Sequence, residues 1–222
     1  MKLVIFDFCE TLVDFQTADA FVDFIIEKEK YDKYSWVKKI SNFLTKTRLL
    51  AIISKFAPKL NLSKRIKLYQ IRGLSDKKII DYSNQYHNEK LLPNIIQPVY
   101  NLFQSHIDNK DHILIISGGY SPYVEIFSEK HKINGHFATE IAFKSNKLTG
   151  FFNGKDCLFQ QKVVLLENYL QSNSIDYASS VAYSDSITDL PLLKWVDEAF
   201  VISKNKTQLW AKNFGFKEII HK

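Results

Sequence analysis

Four short stretches of the chain carry residue types that suit one kind of chemistry. Asp7 closes an apolar run in Asp7-Phe8-Cys9-Glu10-Thr11-Leu12, and Ser117-Gly118-Gly119 follows a second such run. Lys162 lies near the start of a helical pattern, and Asp185 and Asp189 follow a third run in Ser184-Asp185-Ser186-Ile187-Thr188-Asp189. Small residues after a strand let backbone N–H groups approach an anion. The four-residue spacing of Asp185 and Asp189 brings two carboxylates together around a turn. Carboxylates, a hydroxyl beside accessible amides and a lysine at one sheet edge suit a phosphoryl group and a hard cation. Singly, each stretch has an ordinary use as turn, loop, solvated side chain or helix cap. Their common placement at strand ends or helix starts is what joins them.

That placement depends on the elements. Residues 3–8 form a nearly continuous apolar run rich in β-formers, the pattern of a strand buried on both faces. Runs at 112–117, 179–183 and 199–203, with a short one at 216–220, alternate with helical patterns at roughly 121–131, 160–172, 188–196 and 206–213. This alternation predicts an α/β fold, a doubly wound, mainly parallel Rossmann-like sheet. The alternating residues of 137–152 and the turn signal Ser145-Asn146 predict a β-hairpin.

Residues 16–92 break the rhythm. Ala18, Phe21, Val22, Ile25 and Ile26 fall on one helical face, and Trp36, Ile40, Phe43 and Leu44 repeat the spacing, which predicts an inserted α-helical subdomain. Pro93 and Pro98 mark the return to a core made of residues 1–15 and 93–222. Ligands of α/β sheets bind beyond the carboxyl ends of the strands, so an insertion leaving the first strand forms a cap over the site.

The chain has 222 residues, 45% of them hydrophobic, enough for a sizeable core. Its two cysteines, Cys9 and Cys157, have neither the number nor the spacing of a disulfide framework or a structural zinc site. No signal-peptide pattern or membrane-length apolar run is present, so a cytoplasmic location is expected. The formal charge of +6 is uneven: residues 16–92 hold 16 Lys/Arg against 8 Asp/Glu, and all three arginines, Arg48, Arg65 and Arg72, lie there. Arginine's fork suits phosphate or carboxylate. No recognised nucleic-acid motif accompanies the charge, and no nucleic-acid partner is expected. The stretch 34–60 interleaves aromatic and aliphatic residues with lysines; it reads as a helix packing on its neighbours with a solvated face, with an anionic membrane surface or lipid-linked phosphate as a second reading.

The four stretches together resemble the haloacid dehalogenase superfamily, in its phosphoserine-phosphatase-like branch with a helical cap after the first strand. Asp7, Thr11 and Leu12 match the family's Asp-x-Asp-x-Thr-Leu motif, Ser117 its second motif, Lys162 its third, and Asp185 and Asp189 its Asp-x-x-x-Asp motif. Leu148-Thr149-Gly150 through Cys157 to Lys162 looks like the hairpin and loop of this branch. The resemblance implies Mg²⁺-dependent hydrolysis of a small anionic phosphomonoester, with Asp7 attacking phosphorus to form an aspartyl-phosphate. By it, Ser117, Gly118 and Gly119 hold phosphoryl oxygens and Lys162 neutralises nucleophile and phosphate. Asp7, Asp185 and the backbone carbonyl of Cys9 bind the metal, and Asp189 supports that set.

One position departs from the pattern. The family's second aspartate, which protonates the leaving oxygen and later activates water, is replaced by Cys9. A thiol can donate a proton near neutrality but is rarely a base, so acid–base catalysis is slowed while the backbone carbonyl is unaffected. The readings that follow are a slower phosphatase, a phosphotransferase, or a non-catalytic binding protein for a phosphate ligand or partner. Cys9 as the nucleophile is disfavoured, because neither cysteine begins a Cys-x₅-Arg loop. Gln16 stands where the branch has an acidic residue for the substrate amine, which points away from phosphoserine, and Arg65 is the candidate for a substrate carboxylate.

Overall fold

The computed structural model of the chain describes residues 1–30, 37 and 61–222. Eight strands are present in them: β1 (Lys2–Phe6), β2 (His112–Tyr120), β3 (Gly135–Thr139), β4 (Ile141–Lys144), β5 (Lys147–Phe152), β6 (Ser179–Ser184), β7 (Glu198–Lys204) and β8 (Lys217–His221). The helices are α1 (Thr17–Glu29), α2 (Leu62–Tyr69), α3 (Asp76–Tyr86), α4 (Gln97–Asp108), α5 (Ser121–His131), α6 (Gln160–Asn173), and the short α7 (Leu190–Leu193) and α8 (Leu209–Asn213).

Six strands form one sheet in the order β3-β2-β1-β6-β7-β8, every pair parallel. Val4 and Phe6 of β1 join an apolar cluster with α1, α3, α4 and α5, while Leu3 and Ile5 join a second cluster with α6, α7 and α8. Successive side chains of a strand point to opposite faces, and both faces are covered, so β1 is apolar throughout. The chain winds outward from β1 to β3, then crosses back to β6 on the other side of β1. This reversal beside β1 leaves a crevice at the carboxyl ends of β1, β2 and β6, the place where open α/β sheets take ligands.

Several expectations change. The segment 137–152 is not one hairpin: 135–139 pairs in parallel with β2 as an edge strand, and only β4 and β5 form the hairpin. Its two-residue turn is Ser145-Asn146, both with positive φ (49° and 58°), as a tight hairpin turn requires. β2 runs past 117 to Tyr120, with an irregularity between Ile116 and Tyr120, so Ser117-Gly118-Gly119 lies inside the strand's last turn of backbone. The helix expected over 188–196 shrinks to a 3₁₀ turn at 187–189 and one turn of α7. Pro98 sits in the first turn of α4, where its missing N–H costs nothing.

Between β1 and α4 the regular elements among the described residues are all helical: α1, α2, α3 and short turns over His87–Leu91 and Leu92–Asn94. α1 buries Phe21, Val22, Phe24 and Ile25; Ala18 and Ile26 are only half-buried. Trp36, Ile40, Phe43, Leu44, Arg48 and almost all of the stretch 34–60 lie outside the described residues. The hairpin is stitched to the chain between α2 and α3: Gly73 N–H donates to Leu148 O at 2.8 Å, Leu148 N–H to Leu74 O at 2.8 Å, and Asp76 N–H to Asn146 O at 3.1 Å. No described helix is long and apolar enough to cross a membrane.

Candidate active site

The chain curls sharply after β1. Glu10 adopts a left-handed φ of 52°, and Leu12 and Val13 N–H both donate to Phe8 O, at 3.0 and 3.2 Å. The curl returns Thr11 to Asp7, and Thr11 Oγ1 lies 3.5 Å from Asp7 Oδ2 and 3.2 Å from Asp185 Oδ1. The Asp185 N–H donates to the same Thr11 oxygen at 3.1 Å. One buried hydroxyl thus lies within reach of both carboxylates, the first arriving on β1 and the second on the loop after β6.

Lys162 comes in from the first turn of α6 and is 1% exposed. Its ammonium donates to Asp7 Oδ1 at 2.7 Å and to Asp189 Oδ2 at 2.5 Å. Ser184 Oγ also donates to Asp189 Oδ2, at 2.7 Å, which holds Asp189 against Lys162. Burial alone would lower the lysine's pKa, but the Asp189 and Asp7 charges outweigh it and hold Lys162 above its ordinary value. Burial raises the Asp7 carboxyl to about 6, against the pull of Lys162. Asp185 is pushed up to about 8 by burial, then by Asp7, Glu10 and Asp189.

These groups floor a cavity of about 290 Å³. Asp7, Cys9, Lys162, Asp185 and Asp189 come from the sheet side, with Gly118 and Leu158; Gln16, Asp19, Asn61 and Lys64 come from the helical segment. Ser117 and Gly119 are packed just behind Gly118: Ser117 is fully buried and its Oγ accepts the Gly119 N–H at 2.9 Å. Gln16 donates to Glu10 at the rim. Arg65 instead lies over the Phe152 ring, 4.3 Å from its centroid, and lines a neighbouring cavity with Lys155, Asp156 and Phe159. It is Lys64, one residue earlier, that reaches the Asp7 cavity. The signal was in the helix period: Lys64 and Leu68, four apart, are the buried positions of α2.

Cys9 is buried at the cavity floor. Its Sγ meets Thr17 Oγ1 at 2.9 Å, with Ser117 Oγ more distant at 3.9 Å. Thr17 Oγ1 in turn meets Tyr123 Oη at 2.7 Å, and Tyr123 Oη accepts the Tyr120 N–H at 2.9 Å. Burial and the Asp7 charge push the Cys9 thiol up to about 11, so it is neutral at ordinary pH. Thr17 and Tyr123 carried no sequence signal, because each lies on an apolar helix face and only the fold brings them to position 9.

Among the described residues no group of three or more His, Cys, Asp or Glu is arranged to hold a metal ion. Mg²⁺ keeps several waters and uses one or two carboxylates, so two acids and a carbonyl suffice. Asp7 and Asp185 beside a shared hydroxyl supply hard oxygens, and each is raised in pKa partly by a neighbouring negative charge, a repulsion a cation would relieve. Asp189 Oδ1 is buried without a hydrogen-bond partner in the same cluster. The residues fit a hard divalent cation.

A parallel sheet with a carboxylate at the end of its first strand, a buried lysine against it and two further acids after a later strand makes this an α/β protein with its charged groups gathered at the carboxyl ends of the strands. The chain belongs to the haloacid dehalogenase-like hydrolases, whose family model matches residues 4–194. It is 27% identical over 197 residues to a phosphoserine phosphatase of Methanocaldococcus jannaschii, covering 87% of this chain and 81% of that one. With a phosphoserine phosphatase of Campylobacter jejuni subsp. doylei it shares 24% identity over 192 residues, 86% and 82% of the two chains. In fold it is similar to a protein of unknown function from Bordetella pertussis Tohama I, with a TM-score of 0.82, 18% identity and coverage of 98% and 97%.

Proposed function

We propose that the chain is a Mg²⁺-dependent phosphatase for a small phosphomonoester, working through an aspartyl-phosphate on Asp7, with residues 16–92 as its cap. The observation that carries this reading is the buried Lys162 ammonium between Asp7 and Asp189 on the floor of the cavity. A carboxylate attacks a phosphate dianion only where fixed positive charge offsets the repulsion, and Lys162 supplies it at the attacking oxygen's own carboxylate. Lys162 is charged throughout the working range, and the neighbouring Asp189 and Ser184 hold it in place. Gly118 presents backbone at the cavity wall for the phosphoryl oxygens, backed by Ser117. When bound by Asp7, Asp185 and the Cys9 carbonyl, Mg²⁺ would offset charge on the transferring phosphoryl group. A cavity of about 290 Å³ suits a compact ester. Phosphoserine is a natural probe because relatives of that name exist, although Gln16, hydrogen-bonded to Glu10, replaces an acid at the rim.

A second reading, phosphoryl transfer to an acceptor other than water, draws on Cys9. A neutral thiol turned toward Thr17 is a poor base for activating water, so the aspartyl-phosphate would persist long enough for another acceptor.

A panel of phosphate esters assayed with Mg²⁺ and with chelator tests the first reading. Turnover should require Mg²⁺ and vanish in Asp7→Asn. Turnover that survives in Asp7→Asn would remove Asp7 from the mechanism. A burst of alcohol followed by slow phosphate release would favour the second reading over the first.

A further inference from the structure

Lys64 is a buried cation from the helical segment that the phosphoryl-transfer chemistry described above does not use. Its ammonium has three N–H donors and meets three acceptors: Gly118 O at 2.5 Å, Asp156 Oδ1 at 2.6 Å and Thr139 Oγ1 at 2.8 Å. The rings of Tyr120 and Phe152 lie 5.1 and 5.0 Å from it. Asp156 is fully engaged as well: its Oδ1 also accepts from Thr139, and its Oδ2 accepts from Asn61 Nδ2 at 2.9 Å. Tyr120 Oη donates to the Lys64 backbone carbonyl at 3.2 Å, which docks α2 itself on β2. The network therefore joins the start of α2, the ends of β2 and β3, and the loop that leads to Lys162.

The Gly118 carbonyl and the Gly119 amide belong to one planar peptide. The carbonyl is held by Lys64 and the amide by Ser117 Oγ, so the unit is fixed at both ends. We propose that Lys64 is a positioning residue: by gripping the Gly118 carbonyl from the helical segment it fixes the Gly118–Gly119 peptide, and through it Ser117, for the phosphoryl group. This rests on the reading of Ser117 and Gly118 as the phosphoryl-binding end. With all three donors committed inside the protein, Lys64 acts on the backbone rather than on the substrate's distal group. Docking of the helical segment and alignment of the anion-binding strand end then become one event.

A lone Lys64→Met change would strand the buried Asp156 charge, so the test is Lys64→Met/Asp156→Asn, which removes both charges. Two esters are compared with wild type: p-nitrophenyl phosphate, with no carboxylate, and phosphoserine, with one. The expected result is a fall in kcat of about 10-fold or more on both, since an ångström of misplacement costs up to about 100-fold. Inorganic phosphate in the presence of Mg²⁺ should bind about 10-fold more weakly by calorimetry. A rise in KM confined to phosphoserine would make Lys64 a substrate ligand and overturn the proposal, as would unchanged phosphate affinity. If wild type turned over neither ester, the phosphatase reading would fail, while the phosphate titration would still decide the role of Lys64; absence of phosphate binding in wild type would overturn both. Should the Met variant not fold, Lys64→Gln/Asp156→Asn replaces it with the same readouts.

Discussion

The Cys9 sulfur meets the Thr17 hydroxyl at 2.9 Å, so position 9 is tied to the first residue of α1 instead of projecting a free acid into the cavity. Thr17 is itself anchored from both sides, since Tyr86 Oη donates to its carbonyl at 2.9 Å and Tyr123 Oη meets its hydroxyl.

The first prediction follows from that contact. In Cys9→Asp the Thr17 hydroxyl can donate to the new carboxylate, and burial beside Asp7 favours its protonated form, as a general acid needs. Turnover should rise by about 100-fold, within the usual range for a positioned acid or base. The gain should be larger for phosphoserine, a poor leaving group, than for p-nitrophenyl phosphate, whose leaving group needs no proton. Equal gains on both esters would mean that leaving-group protonation is not what wild type lacks.

Lys162 should be indispensable for folding energy and chemistry separately. Lys162→Met strands Asp7 and Asp189 in the interior, and urea denaturation should show a loss of about 3–5 kcal/mol. Adding Asp189→Asn to Lys162→Met should recover part of that stability without restoring turnover. Recovery of turnover together with stability would reduce Lys162 to a structural counter-ion.

Gly119→Ala tests the packing behind the backbone proposed to hold the phosphoryl group. A Cβ there would come within 2.6 Å of Tyr123 Oη and 3.2 Å of both Ser117 Oγ and Thr17 Oγ1. The hydroxyl chain behind Cys9 must shift, at a cost of about 1–3 kcal/mol in thermal unfolding, with a drop in turnover. Wild-type activity in this variant would show that the chain is not needed to align the site.

An acid-side contribution to stability is expected from His87, whose ring packs against Phe127. It is 2% exposed, its Nδ1 has no partner, and burial, then Lys130 and His131, lower its pKa to about 4. The sign follows from proton binding: between about 4 and the ordinary 6.5 the unfolded chain holds more protons than the folded one. The His87 contribution to stability is therefore full above pH 6.5 and is lost as pH falls toward 4, by on the order of 1–3 kcal/mol, while the raised carboxyls of Asp7 and Asp185 slope the opposite way, since there the folded chain holds the extra proton. His131, lowered in the same direction, shares the slope. His87→Phe should remove the His87 part of the slope in pH-dependent melting, and an unaltered slope would assign it to other groups.

The core strands were legible because a strand covered on both faces is apolar along its buried stretch, as in β1, β2 and the centres of β6 and β7, whereas β8, an edge strand with only His221 buried, showed as no more than a short run. β3 was missed as a separate element because only two of its five residues, Ala138 and Thr139, are buried, and its alternation merges with that of the following hairpin. The short α7 and α8 fell short of their expected lengths because a few apolar residues at helical spacing do not tell one turn from three.

By itself, the sequence determined which residues could do the chemistry and at which element ends they stand: Asp7, Asp185 and Asp189 follow strands and Lys162 starts a helix, at boundaries that the strand and helix patterns locate. Tertiary structure alone decided the state of those residues. The neutral thiol of Cys9, the shared hydroxyl of Thr11 and the inward turn of Lys64 in place of Arg65 depend on contacts between residues up to 174 positions apart. Local pattern records a side chain's chemistry and its face of a helix or strand; burial and charge, which set its protonation and its partners, are summed over the whole fold.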